Sequence, residues 1–105
     1  VATIIETQIF ASQWPDYWHE EEFGEFAFWL SRNPEAGDLV KNSGGCRKVR
    51  WAIAGSGKSG GARIIYFSRA REKNSRVYLL VIYAKNVRVT IAGATLAKIK
   101  ERLNV

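Results

Sequence analysis

Hydrophobic positions change their spacing along this chain, and those changes divide it into elements. Ala2–Glu6 reads as a short strand, and Thr7 offers a hydroxyl to cap a helix beginning at Gln8. Pro15 should end or kink that helix near Trp14, because proline lacks the N–H donor and crowds the preceding turn. A second helix is predicted to open at Asp16, with the acids of Asp16–Glu22 gathered where a helix N-terminus favours negative charge. In it Phe23, Phe26, Ala27 and Leu30 fall at i, i+3, i+4 and i+7, one apolar stripe. Phe28 and Trp29 widen that stripe, so the helix is expected to touch more than one neighbour. Asn33-Pro34 stops it.

After a loop over Glu35–Gly45 the period shortens. Arg47–Ile53, Arg63–Ser68 and Val77–Lys85 are rich in β-branched and aromatic residues and read as strands. Their connections, Ala54–Ala62 and Arg69–Arg76, suit antiparallel hairpins. Val77–Lys85 is apolar on both faces until its end, which places it centrally in a sheet. Thr90 is positioned to cap a last helix whose apolar face is Ile91, Leu96, Ile99 and Leu103. Helices, then a run of strands, then a helix is an α+β pattern. The expected fold is a small antiparallel sheet, a short N-terminal strand plus three core strands, packed with two N-terminal helices and a C-terminal helix. With 105 residues and no internal repeat, residues 1–105 are read as a single domain.

Composition narrows the class. Hydrophobic residues make up 47% of the chain and aromatics 12%, enough to build a core rather than remain disordered. The longest apolar run, Val77–Ala84, is far shorter than the roughly 20 residues a spanning helix needs. No charged-then-apolar leader opens the chain, so neither membrane nor secretion is expected. Cys46 is the only cysteine, which excludes an internal disulfide and any multi-cysteine metal site, and fits a reducing cytoplasm. A cysteine nucleophile wants a neighbouring histidine. The only histidine, His19, sits in the acidic helical segment, so Cys46 is read as a buried packing residue and His19 as a helix-start surface residue. No metal or cofactor is expected.

The distribution of charge says more than its total of +6. Residues 1–40 carry eight acids against one base, Arg32, a net −7. Residues 41–105 carry fifteen bases against two acids, Glu72 and Glu101, a net +13. Asymmetry of this kind points one face toward a polyanion. Ten of the bases lie between Gly44 and Lys85, mostly on strand-like sequence, where a fold rather than a tail would hold them.

The glycine-rich loop Gly55–Gly61 tempts a nucleotide-binding reading through Gly57-Lys58-Ser59. The phosphate-loop pattern needs a further glycine at position 52, which is Ala, and a helix immediately afterwards. Here Gly60-Gly61 and another strand follow. The loop is therefore read as a hairpin tip, with Lys58 either simply solvated or, the favoured reading, closing over a polyanion. On the strands, side chains alternate, so Lys48 and Arg50 share one face while Val49 and Trp51 take the other. Tyr83 and Lys85 likewise share a face, and Arg63 opens the strand expected between them. If the three strands are neighbours, Lys48, Arg50, Arg63, Tyr83 and Lys85 converge on one surface. Arg69, Arg71, Lys73 and Arg76 cluster at the other hairpin and are read as a solvated turn with auxiliary backbone contact.

Three stretches in this order, Gly45-Cys-Arg-Lys-Val-Arg-Trp51, Gly57-Lys-Ser-Gly-Gly-Ala-Arg-Ile-Ile-Tyr66 and Tyr78-Leu-Leu-Val-Ile-Tyr-Ala-Lys-Asn86, resemble the RelE/HigB group of bacterial toxin–antitoxin toxins, most closely the HigB-like branch. The resemblance implies a small α+β endoribonuclease that cleaves mRNA on the ribosome and is inhibited by a cognate antitoxin of helix-turn-helix type. It matches Lys48 and Arg50 to the family's basic pair on the first core strand, Arg63 to its arginine at the next strand's start, and Lys85 to its lysine ending the central strand. Two departures stand out. Asn86 takes the place where some relatives have arginine, and residues 87–105 contain no tyrosine, leaving Tyr83 or Tyr66 to supply a phenol.

Internal cleavage of RNA by its own 2′-hydroxyl requires activating that hydroxyl, stabilising a phosphorane and protonating the leaving 5′-oxygen. Arginine stabilises developing oxyanions bidentately. Arg63 is assigned to phosphate stabilisation and Lys85 to proton transfer or charge stabilisation. Lys48 and Arg50 are assigned to backbone positioning and 2′-hydroxyl activation, and Tyr83 or Tyr66 to base stacking or proton relay. Lys58, Arg47, Tyr66, Arg76 and Asn86 are expected to contact RNA. The alternatives are a gyrase inhibitor of ParE type without nuclease activity, and a basic RNA-binding module.

Overall fold

The computed structural model describes residues 1–52, 61–84 and 92–105. In chain order these form β1 (Thr3–Glu6), α1 (Gln8–Gln13), a 3₁₀ turn (Trp14–Asp16), α2 (Glu20–Arg32), β2 (Asp38–Leu39), β3 (Arg47–Trp51), β4 (Ala62–Arg69), β5 (Arg76–Ala84) and α3 (Gly93–Arg102). The strands make one sheet in the order β1-β5-β4-β3-β2, with β1 parallel to β5 and every other pair antiparallel. This is the expected α+β class with one strand more, because Asp38–Leu39 pairs with Lys48 and Arg47 inside the segment read as a loop.

Local signals explain most boundaries. Thr7 caps α1 and its hydroxyl also donates to Leu79 O at 2.7 Å, tying the start of the helix to β5. Pro15 does end α1, but Asp16 belongs to the 3₁₀ turn and α2 begins only at Glu20. There the N-cap His19 N–H donates to the Glu22 carboxylate at 3.0 Å, and Glu20, Glu21 and Glu22 occupy the first turn with Arg32 in the last. Those charges complement the helix dipole at both ends. At the other boundary, Gly93 begins α3 with Ala92 as its N-cap, while Thr90 and Ile91 lie outside the described residues. β3 ends at Trp51 rather than Ile53, which also lies outside them.

The sheet is covered on both faces. On one, α1, α2 and the segment joining them bury Phe10, Trp18, Phe26 and Leu30 against Ala62, Ile64, Tyr66, Val77, Leu79 and Ile82. An aromatic run continues that core outward, with Trp29 and Trp51 at 5.0 Å between ring centroids. Phe28 does not join it: the side chain is exposed, with Arg32 over its ring. On the other face, α3 packs Leu96, Ile99 and Leu103 over Cys46, Ile65, Phe67, Leu80 and Val81. β5 is buried on both faces as its composition requires, yet the middle of the five strands is β4. β1 displaces β5 from the centre by pairing along its outer edge.

One irregularity decides where the end of β5 points. Ile65 pairs with Val81 but Tyr66 pairs with Leu79, so Leu80 is an extra residue, a bulge. Leu80 and Val81 therefore both face α3, and the alternation beyond them is inverted. Simple alternation would put Tyr83 with Val77 and Leu79 under α1 and α2. The bulge delivers it to the opposite face.

Candidate nucleic-acid interface

α3 is a ten-residue helix that packs on this side of the sheet through Leu96 and Ile99. Lys100 fixes its position: the ammonium donates to Gly44 O at 3.0 Å and lies 4.4 Å from the centroid of the Phe67 ring. Its first residue, Gly93, lies so close to the Lys41–Asn42 backbone that a β-carbon there would sit 1.9 Å from Lys41 O. On the same side of the sheet, the start of β4 and the far end of β3 carry cations.

Arg50 pairs with Arg63, and Arg63 pairs with Tyr83, so these three residues form a single row across β3, β4 and β5. Residues directly opposite share a face, with Cα atoms about 4.5–5.5 Å apart. Lys48 lies two residues before Arg50 on the same face, about 6.7 Å along the strand. Lys48, Arg50 and Arg63 line a hollow of about 250 Å³. Arg63 Nη1 donates to Gly61 O at 3.0 Å. Among the described residues the ion pairs are Arg69–Glu72 and Arg71–Glu35, both at the opposite end of β4, and neither involves this group. Three cations brought together without a carboxylate in ion-pair contact leave their charge available to a polyanion.

Other expected site residues fall elsewhere. Tyr83 stands in the row, but the residue is only 6% exposed and belongs to the core cluster on the α3 side of the sheet. Tyr66 lies on the α1–α2 side, fully buried, with its hydroxyl accepting from Gly37 N at 2.8 Å. Burial pushes its phenol above the ordinary value, against the opposing pull of that hydrogen bond and of Arg47. The structure thus does not bring Tyr66 together with Lys48, Arg50 and Arg63. Arg47 is directed to the same side as Tyr66, and its guanidinium donates to Gly37 O at 2.8 Å and Glu35 O at 3.2 Å. These bonds clamp the segment before β2 on the side away from Lys48, Arg50 and Arg63. Arg76 pairs with Arg69 at the far end of the sheet, away from the row, where Arg69, Glu72, Lys73 and Asn74 surround a separate hollow. Lys58, Lys85 and Asn86 lie outside the described residues.

Cys46 and His19 have the structural places read from the sequence. Cys46 is fully buried, where desolvation pushes its thiol up, and His19 is an exposed N-cap. Among the described residues no three of His, Cys, Asp and Glu gather in a way that could hold a metal ion, and no helix is long and apolar enough to cross a membrane.

The structure also adds residues that the periodicity did not single out. Asp38, across from Lys48 in the register, lines the same hollow as Lys48, Arg50 and Arg63. On its other side Asp38 and Lys48 border a second hollow of about 440 Å³ that reaches Lys41 and the start of α3. A two-residue strand inside a glycine-, serine- and asparagine-containing loop has no periodic signature, so only the tertiary pairing reveals it.

No protein-family model matches the chain. Among solved structures it is similar to the E. coli toxin RelE, a variant with two arginines replaced by alanine, in the free state. The superposition has a TM-score of 0.60 at 12% sequence identity and covers 94% of this chain and 96% of that one. Identity this low speaks to architecture alone, and nearly the whole of both chains is included: this chain has the fold of the RelE toxin.

Proposed function

We propose that this protein is the toxin of a type II toxin–antitoxin system, of the HigB-like branch, and acts in the cytoplasm as a ribosome-dependent mRNA endonuclease. The observation that carries the proposal is the group Lys48, Arg50 and Arg63, gathered on one face and free of ion pairs among the described residues. In this reading Arg63 and Arg50 neutralise the nonbridging oxygens as the phosphorane forms, each able to present two N–H donors in one plane. Lys48 positions the neighbouring backbone phosphate, and Lys85 supplies further positive charge to the scissile phosphate. Attack by the 2′-oxygen then releases a 5′-hydroxyl and leaves a 2′,3′-cyclic phosphate. The ribosome holds the mRNA in the bent, in-line geometry that a surface of cations does not impose by itself. A cognate antitoxin of helix-turn-helix type holds the protein inactive.

Conditional expression followed by mapping of mRNA 5′ ends tests this reading. Wild type should generate breaks at ribosome-occupied codons, and Arg63→Ala should abolish them while remaining folded. Growth arrest with intact mRNA and induced DNA damage would instead identify a gyrase inhibitor. RNA binding without growth arrest would identify a basic RNA-binding module.

A further inference from the structure

The proposed reaction lacks one component: a group to take the 2′-hydroxyl proton. Lysine and arginine are protonated donors at neutral pH, and the two phenols considered for the task are buried, Tyr66 on the wrong side of the sheet. We propose that Asp38 is the general base of this site, an assignment that rests on the nuclease reading above.

Three observations converge on Asp38. It is exposed and lines the hollow shared by Lys48, Arg50 and Arg63, which contains no other carboxylate and no imidazole among the described residues. It stands opposite Lys48 in the register, yet forms neither an ion pair nor a side-chain hydrogen bond among the described residues, so its oxygens are open to a ligand. The backbone leading into it is also anchored at several points. Gly37 N donates to the Tyr66 hydroxyl, Arg47 donates to the Gly37 and Glu35 carbonyls, and Arg71 pairs with the Glu35 carboxylate. Gly37 is packed so closely that a β-carbon would lie 2.8 Å from the Tyr66 hydroxyl and 2.9 Å from Lys48 O. Arg47 and Tyr66, first read as RNA contacts, thereby act as positioning residues for Asp38.

An ionised carboxylate has only acceptor positions, so it needs no prior deprotonation to receive the 2′-hydroxyl hydrogen. In the step, the O–H bond of the 2′-hydroxyl breaks and its proton passes to an Asp38 oxygen. The 2′-oxygen forms a bond to phosphorus, the bond from phosphorus to the 5′-oxygen breaks, and water protonates the departing 5′-oxygen. Asp38 then returns its proton to solvent, so no oxidant, metal or hydrolytic water is consumed. Arg50 and Arg63 hold the phosphate in the same hollow, which brings attacking oxygen and base together.

Single-turnover cleavage of mRNA on programmed ribosomes tests the assignment. Asp38→Asn should cut about 10²–10⁴-fold more slowly, the range a positioned general base contributes, with RNA affinity unchanged or increased. Asp38→Ala should regain rate when acetate is added, and Asp38→Glu should retain part of the activity. Arg47→Ala should lower kcat without raising KM, and Arg47→Lys should recover part of the loss. Asp38→Asn cutting at the wild-type rate overturns the assignment. So does an undiminished rate with altered base preference, which would make Asp38 a reader of base edges instead. Wild-type protein that never cuts RNA overturns the underlying reading and this assignment with it, whereas an active wild type beside an equally active Asp38→Asn overturns this assignment alone.

Discussion

Replacing Tyr66 by Phe separates the structural role of this residue from the catalytic one its sequence position suggested. The substitution keeps the ring in the core beneath α1 and α2 and deletes one oxygen. That oxygen accepts the Gly37 N–H at 2.8 Å, and both residues are buried. Water has no ready access to replace it, so the Gly37 donor loses its partner and incurs a desolvation penalty of about 1–3 kcal/mol. Taking about 2 kcal/mol, and 4–8 °C per kcal/mol for a domain near 100 residues, the melting temperature should fall by about 8–16 °C. Urea unfolding followed by far-ultraviolet circular dichroism should show a lower midpoint at an unchanged slope, the signature of altered stability without altered compactness. Tyr78→Phe is the matched control. Tyr78 is also a mostly buried tyrosine on a strand, but its hydroxyl forms no hydrogen bond among the described residues, and its loss should cost less than about 0.5 kcal/mol. Equal midpoints for wild type and Tyr66→Phe would refute the reasoning, because the Gly37 N–H would then be satisfied some other way.

Gly93→Ala places a β-carbon 1.9 Å from Lys41 O and should cost at least about 2 kcal/mol, with dye binding to the sheet face that α3 covers as the readout. Stability should fall in alkali. Burial pushes the Cys46 thiol and the Tyr66 phenol above their ordinary values of 9.0 and 10.0, so the unfolded chain ionises first. Their contribution is fully present below about pH 9 and is lost as the pH rises toward the raised folded values. Urea midpoints across pH 8–11 should show the decline, and Cys46→Ala should flatten its earlier part. Affinity for single-stranded RNA should fall with salt at a logarithmic slope near −2, from about −0.7 for each phosphate met by Lys48, Arg50 and Arg63, and Arg63→Ala should reduce it by about 0.7. A flat salt response would remove the cationic face from the binding account.

Much of the fold was legible because it rests on short-range physics. Thr7, Pro15 and the glutamates after His19 mark helix ends through hydrogen bonding and charge within one turn. The double-sided apolar run of Val77–Ala84 announces a strand with neighbours on both edges and layers on both faces. The start of α2 was misplaced by four residues because acids favour the first turn of any helix, and the 3₁₀ turn at Trp14–Asp16 took the first of them. Phe28 was misassigned for a related reason: hydrophobicity widened the stripe, whereas the helix axis pointed that side chain outward.

The candidate site was legible only in part. Alternation along β3 put Lys48 and Arg50 on one face, since a strand's period is a property of its own backbone. Which face Tyr83 takes depends on the bulge at Leu80, and a bulge is a relation between two strands. Arg47 and Tyr66 carry the right chemistry for RNA, but pairing and burial turn them inward to hold Gly37. Asp38 enters the hollow through a strand pair only two residues long, whose stability comes from contacts with residues distant in the chain. By itself, the sequence determined the α+β class, the strand and helix types and the concentration of positive charge in the second part of the chain, because each depends on neighbours along the backbone. Only the tertiary structure decided which cations meet, which tyrosines are unavailable and which carboxylate joins them, because those outcomes depend on register, bulge and coverage of the sheet.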